Sequence, residues 1–249
     1  MPELSSISWA VVIACAVMIG FSKTGIPGAG ILVAPLMAMV MPAKESTGFV
    51  LPMLAVADIM AIIYWRRHVA WANLLRLLPW TMVGVIVGYL IMGKITNEQL
   101  MPIIGVIVLA LITVTWWRNR KPDQKNVPTY WWFAGGIGIL AGSTSMMANA
   151  AGPVMIIYLL AMKSEKKEFV GTAAWFFWIL NLTKMPFSSK LGLISQQSLT
   201  TNLTMIPCLI LGGLLGIYLV HRIPQGPFNA LVKILAVLAA VILCVKHWL

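Results

Sequence analysis

Apolar stretches follow one another closely along this chain, parted by short polar or basic breaks. They fall at roughly 8–22, 27–42, 47–65, 77–93, 100–117, 131–142, 150–162, 170–187, 203–220 and 228–247. Charge-free runs such as Thr24–Ala43, Gln99–Trp117 and Asn126–Met162 approach or pass the ~20 residues a helix needs to cross a ~30 Å hydrocarbon core. The alternation of polar and apolar residues that marks a membrane β-strand is absent. The pattern therefore predicts an all-α polytopic membrane protein.

The ten segments form two sets of five, 1–117 and 129–249, joined by the basic linker RNRKPDQKNVP at 118–128. The sets resemble each other. Pro79, Gly84, Gly88 and Ile95 recur at the same spacing as Pro207, Gly212, Gly216 and Ile223. Gly48 opens the third segment as Gly171 opens the eighth, and Ala29-Gly30 matches Ala151-Gly152. In order, these matches predict an internal duplication. The first two segments of each set are short, near 15 residues in the first set, or ~22 Å of helix. They predict either a re-entrant hairpin or two short tilted crossings. Either way the pair returns to its starting side, each set crosses an odd number of times, and the repeats are inverted.

Composition strengthens the membrane reading: 60% of the 249 residues are hydrophobic and 10% are charged, against roughly 25% charged in soluble domains. The net charge of +11 raises the question of nucleic acid, but the basic residues sit between apolar segments and read as orienting charges. With Lys23, Lys184 and Lys233 set aside as lying within segments, the inverted topology puts 11 lysines and arginines on one side and four on the other. One broken crossing per short pair would give nine and six. The positive-inside rule favours the inverted version: a multi-pass inner-membrane protein with linker 118–128 in the cytoplasm and both termini outside it. MPELSSIS lacks a basic n-region, so the first segment is expected to be retained. Cys15, Cys208 and Cys244 lie singly in apolar segments and read as small buried hydrophobes rather than metal ligands. Trp65, Trp71, Trp80, Trp116, Trp117, Trp131 and Trp132 stand near segment ends, as an interfacial belt would, whereas Trp175 and Trp178 read as deep.

One stretch interrupts the apolar pattern. GFSKTGIPGAGIL (20–32) places Ser22, Lys23, Thr24, Gly25, Gly28 and Gly30 between apolar flanks. Its counterpart in the second set, GSTSMMANAAGPV (142–154), carries Ser143, Thr144, Ser145, Asn149 and Gly152. Irregular backbone at membrane depth survives only in protein or along a cavity, and glycine-broken short segments at matching positions point to a transporter's binding site. Pro27 and Pro153 suit the start of a following helix, whose N-terminus attracts anions. Lys23 adds a cation and the hydroxyls add donors. Small residues also serve close helix packing, so the glycines alone do not separate the two readings.

These residues carry a resemblance. GFSKTGIPGAGIL, the duplicated halves, the length and the basic central linker resemble the sulfite exporter TauE/SafE family of membrane permeases across nearly the whole chain. The glycines here are spread over Gly25, Gly28 and Gly30, and the second copy keeps Gly142 and Gly152. The resemblance implies transport of small sulfur-containing or carboxylate anions, such as sulfite or organosulfonates.

Deeper polar residues complete the candidate set. Asp58 lies within the third segment, where a carboxylate costs ~2.5–3.5 kcal/mol on insertion scales. The repeat register gives it Asn181 as counterpart, and Lys184 follows one helical turn on. Two readings stand: an Asp58–lysine ion pair holding the halves together, or proton carriage by Asp58 with anion contact by Lys184. Trp178, one turn before Asn181, is a candidate cavity wall, with core packing as the alternative. His68, His221 and His247 read as interfacial. No phosphate-binding GxxxxGK[ST], no HExxH and no acidic metal cluster occurs, so no cofactor is expected. An ion or substrate gradient then drives a secondary anion transporter by alternating access. A passive anion channel is the alternative, and a membrane-embedded enzyme has no motif behind it.

Overall fold

The computed structural model describes residues 5–25, 29–100, 131–162 and 166–220, with isolated positions 102, 103, 106, 110 and 113. Linker 118–128, Gly28, His221, His247, Cys244 and the segment at 228–247 lie outside the described residues. The described chain is all helical: α1 (Ser6–Thr24), a 3-10 turn (Ala29–Leu32), α2 (Val33–Val40), α3 (Ala43–Trp65) and α4 (Trp71–Lys94) in the first half. The second half contributes α5 (Trp131–Ala148), α6 (Gly152–Ala161), α7 (Lys166–Lys190), α8 (Gln196–Thr204) and α9 (Ile206–Val220). Among the described residues, α1, α3 and α4 are each long and apolar enough to cross a membrane. The pair α8–α9, bent by 50°, passes the same test as one unit. Exposed Leu75, Ile86 and Leu90 on α4 and Leu211, Leu214 and Tyr218 on α9 give these helices apolar outer faces suited to lipid. The described residues are those of a helical integral membrane protein.

The short first segments read from sequence need correcting. α1 runs for 19 residues, about 28 Å, and α5 for 18. Of the first two helices in each half, only α2 and α6, with 8 and 10 residues, are short. The hydroxyl-rich stretches are helical, and hydroxyls within them donate to carbonyls of the preceding turn instead of facing a loop. Ser143 Oγ donates to the Ile139 carbonyl at 2.8 Å and Thr144 Oγ1 to the Leu140 carbonyl at 2.7 Å. The backbone breaks only beyond the last turns of α1 and α5. The Gly25 N–H closes α1 on the Phe21 carbonyl at 3.0 Å. Asn149 adopts φ +51 after α5, a left-handed conformation that asparagine tolerates better than most residues. Pro207 stands second in α9 and marks the bend after α8, since proline has no N–H for the ladder and crowds the carbonyl four residues back.

α3 and α7 form the centre, and the two halves interlock around them rather than sitting side by side: α1 packs on α9, and α4 on α5. Membrane helices gain little from hydrophobic association, so close backbone approach through small residues matters more. A Cβ at Gly84 would strike the Ile139 carbonyl on α5, and one at Gly212 would strike the Val17 carbonyl on α1. Likewise Gly48 lies against Leu193 in the turn after α7, and Gly171 against His68 in the turn after α3. Aromatic contacts also revise the tryptophan belt. Trp65 is buried, and its Nε1 donates to the Thr24 carbonyl at 3.2 Å, which satisfies an end carbonyl of α1. Trp71, Trp131 and Trp132 remain exposed.

Candidate functional site

The breaks after α1 and α5 meet α7 at a cavity of about 70 Å³. That is far smaller than the ~300–1,000 Å³ of pockets for drug-sized ligands, and it suits a small solute. α7 supplies one wall. Val170, Ala173, Ala174, Phe177, Asn181 and Lys184 all face the space, a spacing of three and four residues that keeps them on one helical stripe. Ser22 and Lys23, in the last turn of α1, and Gly30 of the 3-10 turn close one side. Ser145, Asn149, Ala150 and Gly152 close the other.

Two lysines border the cavity, and they are held differently. Lys23 Nζ lies 2.7 Å from Asp58 Oδ1, with the ammonium also 4.0 Å from the centroid of the Phe177 ring. The other carboxylate oxygen, Oδ2, accepts from Asn181 Nδ2 at 2.6 Å. A fully buried carboxylate is tolerable only with such partners. Lys184, 1% exposed, meets no carboxylate among the described residues. Its Nζ donates to Ser145 Oγ at 2.9 Å, to the Ser145 carbonyl at 3.1 Å and to Asn149 Oδ1 at 2.7 Å. Three acceptors match the three protons of an ammonium, and the C-terminal end of α5 favours a cation there. Asn149 is in turn fixed by its Nδ2, which donates to the Thr47 carbonyl at 3.0 Å.

Eight of the residues singled out in the sequence line the cavity: Ser22, Lys23, Gly30, Ser145, Asn149, Gly152, Asn181 and Lys184. Asp58 stands directly behind Lys23 and Asn181. Thr24, Gly25, Ser143, Thr144 and Trp178 are placed elsewhere. Thr24 Oγ1 donates across to the Gly213 carbonyl of α9 at 2.7 Å, and Gly25 lies against Gly216. The Ser143 and Thr144 hydroxyls are taken up by their own helix. Trp178 packs edge-on to Trp175. Thr24 and Gly25 thus serve the α1–α9 contact, while Ser143, Thr144 and Trp178 are engaged within their own helices. The expected ion pair is present in altered form. Asp58 pairs with Lys23 inside the first half, and the contact that crosses between halves is the Asn181 amide. Phe177, Val170, Ala173 and Ala174 were not read as site residues, although their helical spacing from Asn181 and Lys184 was visible in the sequence.

A Cβ added at Gly152 would meet nothing within 4 Å, whereas one at Gly30 would approach only Ser22, with Oγ at 3.2 Å. The cavity margin at Gly152 is thus open space and not a helix contact. Ser22 Oγ accepts the Gly30 N–H at 2.9 Å, tying the end of α1 to the 3-10 turn.

No curated protein and no solved structure matches the chain. The model of the sulfite exporter TauE/SafE family matches residues 12–243, nearly the whole length. The chain belongs to the TauE/SafE family of sulfite exporters, membrane transporters of sulfur-containing anions.

Proposed function

We propose that the protein is a secondary transporter of small sulfur-containing anions such as sulfite and organosulfonates, and that the cavity bordered by Lys23 and Lys184 is its anion site. The observation that carries this reading is Lys184: a buried ammonium facing a small cavity and held only by neutral oxygens. An ammonium with no counter-ion is costly in an apolar interior. A bound anion would supply the missing charge.

Alternating access would run between two inverted repeats, 1–117 and 129–249. Contacts of matching kind support the duplication: α1 on α9 corresponds to α5 on α4, Gly212 on Val17 to Gly84 on Ile139, and Gly48 on Leu193 to Gly171 on His68. Asp58 and Asn181, counterparts in the repeat register, bond to each other at the α3–α7 centre, as residues near a pseudo-two-fold axis would. The unequal distribution of lysines and arginines favours a cytoplasmic linker and termini on the far side of the inner membrane. The Lys23 pair supports Asp58 as a fixed counter-charge over Asp58 as a proton carrier, because carriage would require the carboxylate to release its cation.

Proteoliposomes carrying a small sulfonate gradient test the reading. Gly152→Val should cut uptake at least tenfold with little change in thermal stability, because its Cβ would meet no protein atom within 4 Å and its branched side chain would take up cavity space. Undiminished uptake by that folded variant would place the route elsewhere. Trans-stimulated exchange would distinguish a carrier from a channel.

A further inference from the structure

Charge bookkeeping at the cavity points to the charge of the cargo as well as its size. Among the described residues three ionisable groups meet there: Lys23, Asp58 and Lys184. Lys23 and Asp58 are in direct contact, and the carboxylate's second oxygen is already taken by Asn181. That pair sums to zero. Lys184 donates to three neutral acceptors and touches no carboxylate among the described residues, so as an ammonium it adds one positive charge that no contacting anion balances. The site therefore presents one net positive charge, in a chamber whose other walls include Leu54, Val170, Ala173 and Phe177.

Resting on the reading of this cavity as the anion site, we infer that it selects singly charged anions, sulfonates and singly protonated oxyanions, over doubly charged ones of equal size. A monoanion beside Lys184 leaves the chamber neutral. A dianion leaves one negative charge in an apolar surround, and Asp58 repels it from behind Lys23. Uncompensated charge in such surroundings is what a buried site discriminates against most strongly. Asp58 is then the residue that sets specificity: it subtracts one positive charge from a two-lysine site without touching the cargo. This also gives the asymmetry between the halves a purpose, since its counterpart Asn181 carries no charge.

Methanesulfonate and sulfate make the test, because they share a tetrahedral sulfur and differ chiefly in one methyl group against one charged oxygen. Binding to the purified full-length protein is measured by calorimetry at constant ionic strength. The wild type should prefer methanesulfonate at least tenfold. Asp58→Asn should free Lys23, raise the site to two positive charges and bring sulfate level with methanesulfonate or above it. The double variant Lys23→Met/Asp58→Asn restores a single positive charge and should restore the wild-type preference. It remains informative where Asp58→Asn alone fails to fold. Equal binding of both anions by the wild type, an unshifted preference in folded Asp58→Asn, or sulfate preference in the double variant would each overturn the charge rule. If both probes bind without discrimination yet Lys184→Gln abolishes binding, the cavity reading stands and only the charge rule falls. If neither probe binds the wild type, both fall together.

Discussion

Lys23 and Lys184 border the same cavity, Lys23 from the last turn of α1 and Lys184 from the wall that α7 supplies. They are not equivalent. Lys23 is locked to a carboxylate and lies over an aromatic ring, while Lys184 is cradled by a hydroxyl, a carbonyl and an amide oxygen. The first arrangement cancels charge and holds helices in place. The second holds a charge in position and leaves it unbalanced. On the proposed reading one cation is structural and the other serves an anion, although a count of buried lysines would treat them as the same.

The largest effect that could break this comparison is on stability. Lys23→Met should cost about 3–5 kcal/mol, the usual penalty for leaving a buried charge without its partner, read as a lowered midpoint of thermal unfolding in detergent. Adding Asp58→Asn should recover most of it. A Lys23→Met protein as stable as the wild type would show that the pair is not formed. Lys184→Gln should behave in the opposite manner. Its stability should change little, because the amide can still donate to Ser145 and Asn149, while anion affinity should fall by about 100-fold, or ~2.7 kcal/mol. Equal affinity in calorimetry would remove Lys184 from the site.

Smaller effects sharpen the picture. Phe177→Leu removes the ring 4.0 Å from the Lys23 ammonium and should cost about 1 kcal/mol of stability, with affinity less affected than by Lys184→Gln. Thr24→Val removes the hydroxyl that reaches the Gly213 carbonyl at 2.7 Å. Interhelical bonds of this kind average about 0.6 kcal/mol in membranes, so a shift of one or two degrees in the unfolding midpoint, with transport unchanged, is expected. Transport loss in folded Thr24→Val would restore Thr24 to the binding residues.

Much of this organisation was legible in the sequence for definite reasons. Gly84 and Gly212, and Gly48 and Gly171, stood out by matching spacing as signs of a duplication, and they lie where backbones approach closely. Buried polar residues in apolar runs are rare enough that Asp58, Asn181 and Lys184 stood out. What failed was local. Hydroxyls in GFSKT and GSTS looked like loop donors, yet a serine or threonine within a helix can return its proton to the preceding turn, and sequence does not separate the two. Pairing was also hidden: Lys184 is one turn from Asn181 and was the natural partner for Asp58, but the α1 terminus delivers Lys23 there instead. Pro79 and Pro207 show the same limit. They occupy matching positions, yet α4 continues through Pro79 whereas the helix before Pro207 ends, and the preceding residues differ from apolar WANLLRLL to polar QQSLTTNLT.

The central claim is that an anion sits against Lys184 between the breaks at the ends of α1 and α5. Crystals of the full-length protein grown with bromide, a small monoanion with a strong anomalous signal, test it most directly. An anomalous peak in the cavity within contact distance of Lys184 Nζ, absent from Lys184→Gln crystals, is the predicted result. Peaks confined to the protein surface, with the cavity empty at a bromide concentration that inhibits sulfonate transport, would contradict it.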